Sequence, residues 1–210
     1  GSEMCIRDSY LNLLRDERHI SEDLQERYLS ISLEKAERLE DLINEFFDIA
    51  RFNLTDISLQ YSKINLTRLL EQLAYEFKPM LKEKNLTCNL QIPDDLMLRC
   101  DANKIQRAFD NLLRNAVIYS YPDTEVNVTV VRQNDDVVIK FINHGDTISK
   151  ENLERIFEQF YRLDISRSTS SGGAGLGLAI SKRIIELHHG TITASSENDL
   201  IEFTVTLPAS

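Results

Sequence analysis

The sequence has no long apolar run, few glycines and prolines, and no excess of basic residues. No segment approaches the roughly 20 apolar residues that span a bilayer, and no signal-peptide pattern begins the chain, so no membrane contact is expected here. Seven Gly and four Pro among 210 residues exclude a collagen-like or low-complexity chain. The net charge of −10 would repel a phosphate backbone, so nucleic acid is not an expected partner.

Cysteine is also scarce. The three residues Cys5, Cys88 and Cys100 are odd in number and widely spaced, which gives neither a disulfide framework nor a zinc pattern. A reducing cytoplasmic compartment fits this usage best. What the chain does have is 42% hydrophobic and 28% charged residues, the composition of a folded protein.

The pattern along the chain predicts two domains, residues 1–56 and 57–210. Over residues 21–51, apolar side chains recur at steps of three and four, which predicts a long helix with one apolar face. These residues are Leu29, Leu33, Ala36, Leu39, Ile43, Phe46 and Ala50. Residues 10–15 resemble the end of a partner helix, so the first domain is predicted to be a truncated antiparallel helical hairpin. Its apolar stripe fits either dimerisation or ordinary core contacts within a monomer.

The second domain is predicted to be α+β. We expect helices from Asn65 or Thr67 to about Lys84, over Ala102–Tyr119, over Asn152–Phe160 and over Leu176–His188. The helix Ala102–Tyr119 is expected to carry an apolar face formed by Ile105, Phe109, Leu112, Leu113 and Ala116. Alternating segments near residues 86–92, 96–100, 126–130, 137–142, 191–195 and 201–207 predict strands. Short turns between them favour a mostly antiparallel sheet with helices on one face, a two-layer sandwich.

Two asparagines in the helix Ala102–Tyr119 are candidates for a binding role. Asn111 and Asn115 are four residues apart, so both amides leave the same helix face. Their oxygens suit a hard cation and their NH₂ groups suit phosphate oxygens. The alternative is a solvated helix face without a ligand.

A glycine-rich run, Gly172–Ala179, opens a predicted helix. Glycines admit a ligand close to the backbone, and the free NH groups of a helix start attract phosphate. No Lys-Ser/Thr pair follows, so this is not a Walker loop; a surface loop is the alternative. Two further segments lie between the asparagines and this run: Asn143–Thr147 after an apolar strand, and Phe157–Arg162, from which Arg162 and the later Arg167 could reach a phosphate.

In this order, the four segments resemble the N, G1, F and G2 boxes of sensor histidine kinases. The stretches LINEFFDIARFN (Leu42–Asn53) and IFEQFYRLDISRSTSSGGAGLGLA (Ile156–Ala179) are most similar to the vancomycin-resistance, VanS type of these kinases. The resemblance implies the GHKL (Bergerat) ATPase fold, a two-layer α/β sandwich shared with gyrase, Hsp90 and MutL. It also implies ATP and Mg²⁺ as cofactors and protein histidine kinase activity.

The resemblance also implies roles for particular residues. Asn111 and Asn115 would hold Mg²⁺ and the phosphates, and Arg162 and Arg167 would approach the γ-phosphate. Tyr119 would pack near the nucleotide. The remaining residues implied to bind it are Asn143, Gly145, Gly173, Gly175, Leu176 and Gly177, and residues 166–172 would form a lid.

The sequence departs from the family at three site positions. Asn143 replaces the usual Asp that accepts a hydrogen bond from the adenine amino group, which removes a charge and adds an NH₂ donor. Thr147 replaces the second Gly of the G1 box, and Ile118 replaces a residue that is often a Lys. We expect weaker adenine binding or altered base selectivity.

The phosphoaccepting histidine motif of the first dimerisation helix is absent. The four histidines are His19, His144, His188 and His189, and none has the expected neighbours. The chain is therefore interpreted as a fragment that binds Mg-ATP without phosphorylating itself, and that dimerises weakly through its shortened hairpin. Implied for the whole protein are a response regulator receiver domain as partner and a membrane anchor, with this part on the cytoplasmic side.

Two other functions remain open from the sequence. One is an ATP-driven conformational switch of the same superfamily; against it, Arg107 occupies the position where hydrolysing relatives carry an acidic residue. The other is a nucleotide-binding module without kinase activity. Steady-state ATP hydrolysis separates the first from the kinase, and binding to a receiver domain separates the second.

Overall fold

The computed structural model describes residues 23–36, 39, 43, 59–163 and 175–209. The chain divides into two compact units, Gly1–Leu54 and Thr55–Ser210. In the first unit, residues 23–36 are helical, as are residues 39 and 43, which agrees with the predicted helix where it is described. Leu29 and Leu33 of its apolar stripe are 51% and 61% exposed. The predicted partner helix at residues 10–15 lies outside the described residues.

The described part of the second unit contains seven strands and five helices. In chain order they are β1 (Ser62–Asn65), α1 (Leu66–Glu76), α2 (Lys78–Glu83), β2 (Thr87–Gln91), β3 (Met97–Cys100), α3 (Ala102–Tyr119), β4 (Glu125–Gln133), β5 (Asp136–His144), α4 (Lys150–Arg155), α5 (Gly177–Leu187), β6 (Thr191–Glu197) and β7 (Leu200–Pro208). None of the helices described is both long and apolar enough to cross a membrane.

Five strands form the main sheet, in the order β2-β4-β5-β7-β6. Three of its four strand pairs are antiparallel, as predicted, and β2 pairs with β4 in parallel. The parallel pair arises because β3 and α3 intervene between the two strands, giving the long crossover that such a pair requires. β1 pairs with β3 in a separate two-stranded ladder.

Helices α3 and α5 provide the second layer over one face of the sheet. The apolar face predicted for α3 is completely buried. It comprises Ile105, Phe109, Leu112, Leu113 and Ala116. The Phe109 ring packs against Phe141 of β5 at 5.6 Å between centroids, and the Ser181 hydroxyl of α5 donates to the Ala108 carbonyl at 3.2 Å. The predicted two-layer α+β sandwich is confirmed.

Some predicted boundaries are wrong. The helix expected to run to Lys84 is interrupted at Phe77, because Pro79 lies in the first turn of a new helix and cannot extend the old one. The helix expected over Asn152–Phe160 starts earlier, after the Ser149 cap, and ends at Arg155. Strand β1 is not predicted, because its four residues show no apolar alternation.

Candidate functional site

The two candidate asparagines lie where α3 meets the first turn of α5. Asn111 Nδ2 donates to the Gly177 carbonyl at 3.1 Å, and Asn115 Nδ2 donates to the Asn111 carbonyl at 2.9 Å. A Cβ on Gly177 would lie 3.5 Å from Asn111 Cγ, so the helix start rests directly on this side chain. Each NH₂ group donates one hydrogen bond within the protein, and no described hydrogen bond uses either Oδ1 atom, so both oxygens are available to a ligand.

The last turn of α3 is in close contact with Gly145, which follows β5. A Cβ on Gly145 would lie 2.2 Å from the Tyr119 carbonyl oxygen, so any side chain there would displace the backbone. The Tyr121 NH donates to the His144 carbonyl at 2.8 Å and fixes the same junction. The Tyr119 side chain is 39% exposed at this edge. The helix that carries both asparagines is therefore held against the end of β5.

Asn143 lies near the end of β5, on the strand face that points into the core. Its register partners are Val126 on β4 and Ile201 on β7, both buried. The side chain is 1% exposed, and its Nδ2 atom has no hydrogen-bond partner among the described residues. An unpaired buried donor of this kind costs about 1–3 kcal/mol.

The aromatic segment before the glycine-rich run is bound to that run. The Phe160 NH donates to the Gly175 carbonyl at 2.9 Å. Gly175 has φ +77°, and a Cβ there would lie 2.8 Å from the Tyr161 carbonyl oxygen and 3.1 Å from Arg162 Cγ. Glycine is required here by both the left-handed backbone and the contact. Leu176, which is 2% exposed, then anchors the run just before α5.

The structure shows three contacts between predicted site residues that it describes. Asn111 contacts Gly177, Tyr119 contacts Gly145, and Arg162 lies beside Gly175. Arg167, Gly173 and the lid predicted at residues 166–172 lie outside the described residues.

The two other positions that depart from the family pattern also make hydrogen bonds, Thr147 through its side chain and Ile118 through its backbone carbonyl. Thr147 Oγ1 donates to Asp199 Oδ1 at 3.1 Å and accepts from the Asp199 NH at 2.9 Å, which ties the loop after β5 to the β6–β7 turn. The Ile118 carbonyl accepts a hydrogen bond from Lys84 Nζ, and the Ser120 carbonyl accepts a second at 3.2 Å. Burial lowers the pKa of Lys84, which caps the C-terminal end of α3.

A neighbouring side-chain pair also holds the loop after β5. The Tyr121 hydroxyl donates to Asp146 Oδ1 at 2.8 Å. This hydrogen bond, together with desolvation and nearby carboxylates, raises the pKa of Tyr121 to about 12. Tyr121 is therefore a neutral donor across the physiological range, and the loop keeps this contact.

Sequence reasoning missed a buried polar cluster at the other end of α3. Asp101 caps the helix by accepting from the Lys104 NH at 3.2 Å, and its other carboxylate oxygen accepts from the Gln60 NH at 3.0 Å. The Asp101 NH donates to His188 Nε2 at 3.0 Å, so the proton of His188 sits on Nδ1, which faces the Ile184 carbonyl at 2.8 Å. Burial lowers the pKa of His188. The cap Asp101 before an apolar helix was a readable signal; its pairing with a residue 87 positions away was not.

The site suits a hard cation bound with an anionic ligand. The described residues hold no group of three or more His, Cys, Asp or Glu placed to bind a metal ion. Two amide oxygens alone are a weak ligand set, so a cation here would need oxygens from the ligand itself. Mg²⁺ in nucleotide sites is coordinated in this way, because one or two protein groups and the phosphate oxygens of the substrate together supply its ligands.

Comparison with known proteins identifies the family of this chain. Residues 100–210 match the family described as "Histidine kinase-, DNA gyrase B-, and HSP90-like ATPase". The chain is 47% identical over 199 residues to the sensor protein VanSC of Enterococcus gallinarum, covering 95% of this chain and 55% of that protein. It is 44% identical over 200 residues to the sensor protein VanS of Enterococcus faecium, covering 95% of this chain and 52% of that protein. The chain thus spans about half the length of these relatives.

Solved structures show the same fold. Histidine kinase ThkA, in complex with the response regulator protein TrrA, matches with a TM-score of 0.79 at 21% identity, covering 100% of this chain and 58% of that chain. The GHKL-type fold and the resemblance to VanS-type sensor kinases are therefore confirmed. With the family match extending over more than half of its residues, the chain belongs to the family of histidine kinase-, DNA gyrase B- and HSP90-like ATPases.

Proposed function

We propose that this chain is the ATP-binding catalytic region of a VanS-type sensor histidine kinase in a two-component system. The observation that carries the proposal is the contact between Asn111 and Gly177, which joins a pair of amides to a glycine-flanked helix start. Such a helix start binds phosphate through its free NH groups, and the adjacent amide oxygens supply ligands for a cation. The family match and the VanS relatives support the same function.

In this proposal each site residue positions part of Mg-ATP. The Oδ1 atoms of Asn111 and Asn115 would bind the cation, while Gly173, Gly175, Leu176 and Gly177 line the triphosphate. Arg162 and Arg167 would compensate charge at the γ-phosphate. Tyr119, Asn143 and Gly145 would form the base end of the site. Bound Mg²⁺ would neutralise phosphate charge, and phosphoryl transfer depends mainly on such positioning and neutralisation.

The γ-phosphate would pass to a histidine nitrogen and then to an aspartate of a response regulator, with ADP as the product of the first step. ThkA, a structural relative, was solved with a response regulator, which supports a receiver domain as partner. None of His19, His144, His188 and His189 has the neighbours of a phosphoacceptor, so the acceptor would be supplied by another helix. This chain alone would bind Mg-ATP without autophosphorylation.

The first unit would contribute to dimerisation. Leu29 and Leu33 lie one helical turn apart and are exposed, which fits a helix face that packs on a second copy. We expect weak, concentration-dependent association, with the whole protein anchored in a membrane and this part on the cytoplasmic side.

The first test is calorimetric titration with the Mg²⁺ complexes of a non-hydrolysable ATP analogue and of the matching GTP analogue. Micromolar ATP binding without comparable GTP binding is expected. Asn111→Asp is a suitable variant, since it keeps the size of the side chain but loses the NH₂ group that holds Gly177. Asp110→Asn, at the neighbouring and partly exposed position, is its control. Absence of binding of either analogue would contradict the proposal.

A second test separates kinase activity from mere binding. The chain is incubated with γ-labelled ATP, with and without a helical hairpin of a VanS-type kinase that carries its phosphoaccepting histidine. We expect acid-labile label on the supplied hairpin and none on the chain itself. Labelled phosphate on the chain in the absence of the hairpin would contradict the proposed lack of autophosphorylation. Steady-state ATP hydrolysis without phosphate transfer to the hairpin would favour a conformational ATPase.

A further inference from the structure

One buried donor in the second unit has no partner within the described part of the protein. Asn143 is 1% exposed, and its Nδ2 atom makes no hydrogen bond there. Buried polar groups in folded proteins are nearly always paired, so an exception at a candidate site indicates a partner that comes from outside the chain. That partner must offer an acceptor to Nδ2.

The surroundings of Asn143 indicate the shape of this partner. The side chain lies between two aliphatic neighbours across the sheet, Val126 and Ile201. It is two residues from Gly145, where only a hydrogen atom fits against the Tyr119 carbonyl. An amide with apolar groups on both sides can hydrogen-bond the edge of a flat heterocycle while its neighbours cover the ring faces.

We infer that Asn143 Nδ2 donates a hydrogen bond to a ring nitrogen of the bound nucleotide base, in addition to the Oδ1 contact that the proposed function already implies. Oδ1 accepts from the exocyclic amino group of adenine, and Nδ2 donates to the ring nitrogen beside that group, N1 or N7. This inference rests on the proposed function and adds a donor to it. A carboxylate accepts only and cannot make the second bond, whereas the donor–acceptor pair of an asparagine matches the adenine edge. The preference of this chain for adenine therefore depends on a hydrogen-bond acceptor, N1 or N7, in the adenine ring.

The test is a comparison of ligands and variants by calorimetric titration of the whole chain. The ligands are the Mg²⁺ complexes of ADP, 1-deaza-ADP and 7-deaza-ADP; each analogue replaces one ring nitrogen by CH. One of the two analogues is expected to bind the unaltered chain about fivefold to tenfold more weakly than ADP, because one hydrogen bond is lost. The analogue that is affected identifies the nitrogen.

The variant Asn143→Asp keeps the size of the side chain and an acceptor but has no donor. In this variant the sensitive analogue and ADP are expected to bind within twofold of each other. Should the buried carboxylate prevent folding, Asn143→Leu removes the donor without adding a charge, and the same equality is expected for the residual binding. Both variants are first compared with the unaltered chain by thermal unfolding.

Two results would overturn the inference while leaving the proposed function intact. In the first, both analogues bind the unaltered chain within twofold of ADP. In the second, the loss persists unchanged in the variants, so that another group makes the contact. If ADP itself does not bind to the unaltered chain, the proposed function fails as well.

Discussion

The two ends of α3 differ in how their buried polar groups are paired. At the N-terminal end, both carboxylate oxygens of Asp101 and both ring nitrogens of His188 have hydrogen-bond partners. Near the C-terminal end, Asn143 keeps an unpaired donor and Gly145 presses on the helix backbone. The helix therefore connects a saturated cluster, Asp101 and His188 with all of these polar atoms paired, to a site that contains an unpaired donor.

The difference in pairing suggests that the two ends of α3 have different roles: the paired end stabilises the fold, and the end near Asn143 belongs to the candidate site. The saturated cluster fixes α3 to the Gln60 backbone and to the end of α5, the helix whose start contacts Asn111. We propose that this rigid support lets the far end keep the unpaired Nδ2 donor of Asn143, to which a bound ligand would supply the acceptor. The contrast predicts that changes at the two ends affect stability and nucleotide binding differently.

The largest loss of stability is expected from Asp101→Ala. The change removes the helix cap, worth about 1 kcal/mol, and the acceptor of the Gln60 NH, for a total of about 2–4 kcal/mol in the free energy of unfolding. Urea unfolding measures it. The matched control is Asp110→Ala at a partly exposed position of the same helix, where an ion pair with Arg114 is lost and the change stays below about 1 kcal/mol. Equal losses in the two variants would show that the cluster does not stabilise this end.

A glycine pair tests the other end. Gly145→Ala places a methyl group against the Tyr119 carbonyl, which we expect to cost about 1–3 kcal/mol and to displace the last turn of α3. In Gly177→Ala, the new methyl group meets Asn111 at ordinary van der Waals distance, so the free energy of unfolding should change by less than about 0.5 kcal/mol. Urea unfolding and ADP titration of both variants separate the effects. Equal stability losses in the two variants would contradict the difference in available space between Gly145 and Gly177.

Asn143→Leu is expected to stabilise the chain. It replaces an unpaired buried amide by an apolar side chain of similar size, which should raise the free energy of unfolding by about 1–2 kcal/mol. The same variant should bind ADP at least tenfold more weakly, since both base contacts are lost. Thermal unfolding and titration measure the two effects. Asn152→Leu is a control at a half-buried asparagine whose Oδ1 accepts a hydrogen bond from the Tyr161 hydroxyl, and it should lower the stability. Destabilisation by Asn143→Leu would show that the amide is satisfied within the fold.

Much of this molecule was predictable because its signals are local. The periodicity of α3 identifies all five core residues named from the sequence, and its bounds are correct, since an Asp precedes it and apolar spacing fills it. The resemblance carried by the order of the four sequence segments implies which residues meet at the site. The contacts of Asn111 with Gly177 and of Phe160 with Gly175 agree with that order.

The contacts that hold the site in place were not predictable in the same way. Asp101 and His188 are 87 positions apart, and Thr147 and Asp199 are 52 apart, so no local pattern connects them. The unpaired state of Asn143 depends on the burial of one atom, which a sequence does not contain. Pro79 is a local signal for the break at Phe77. The predicted continuous helix to Lys84 is wrong because proline starts a new helix there and cannot extend the preceding one.

The smallest effect should come from protonation at the saturated end. His188 has a folded-state pKa below its unfolded value of 6.5, because burial disfavours its charged form. Its neutral form contributes stability above pH 6.5, and this contribution declines as the pH falls below that value, since the unfolded chain then binds the proton more readily. Protonation would also turn Nε2 into a donor facing the Asp101 NH. Urea unfolding between pH 5 and 8 should therefore show a decrease below 6.5 that is reduced in His188→Gln, whose amide oxygen can still accept from that NH. An identical pH dependence in the two proteins would mean that carboxylates alone govern acid stability, and the cluster at Asp101 would then hold α3 equally well with a charged or a neutral ring.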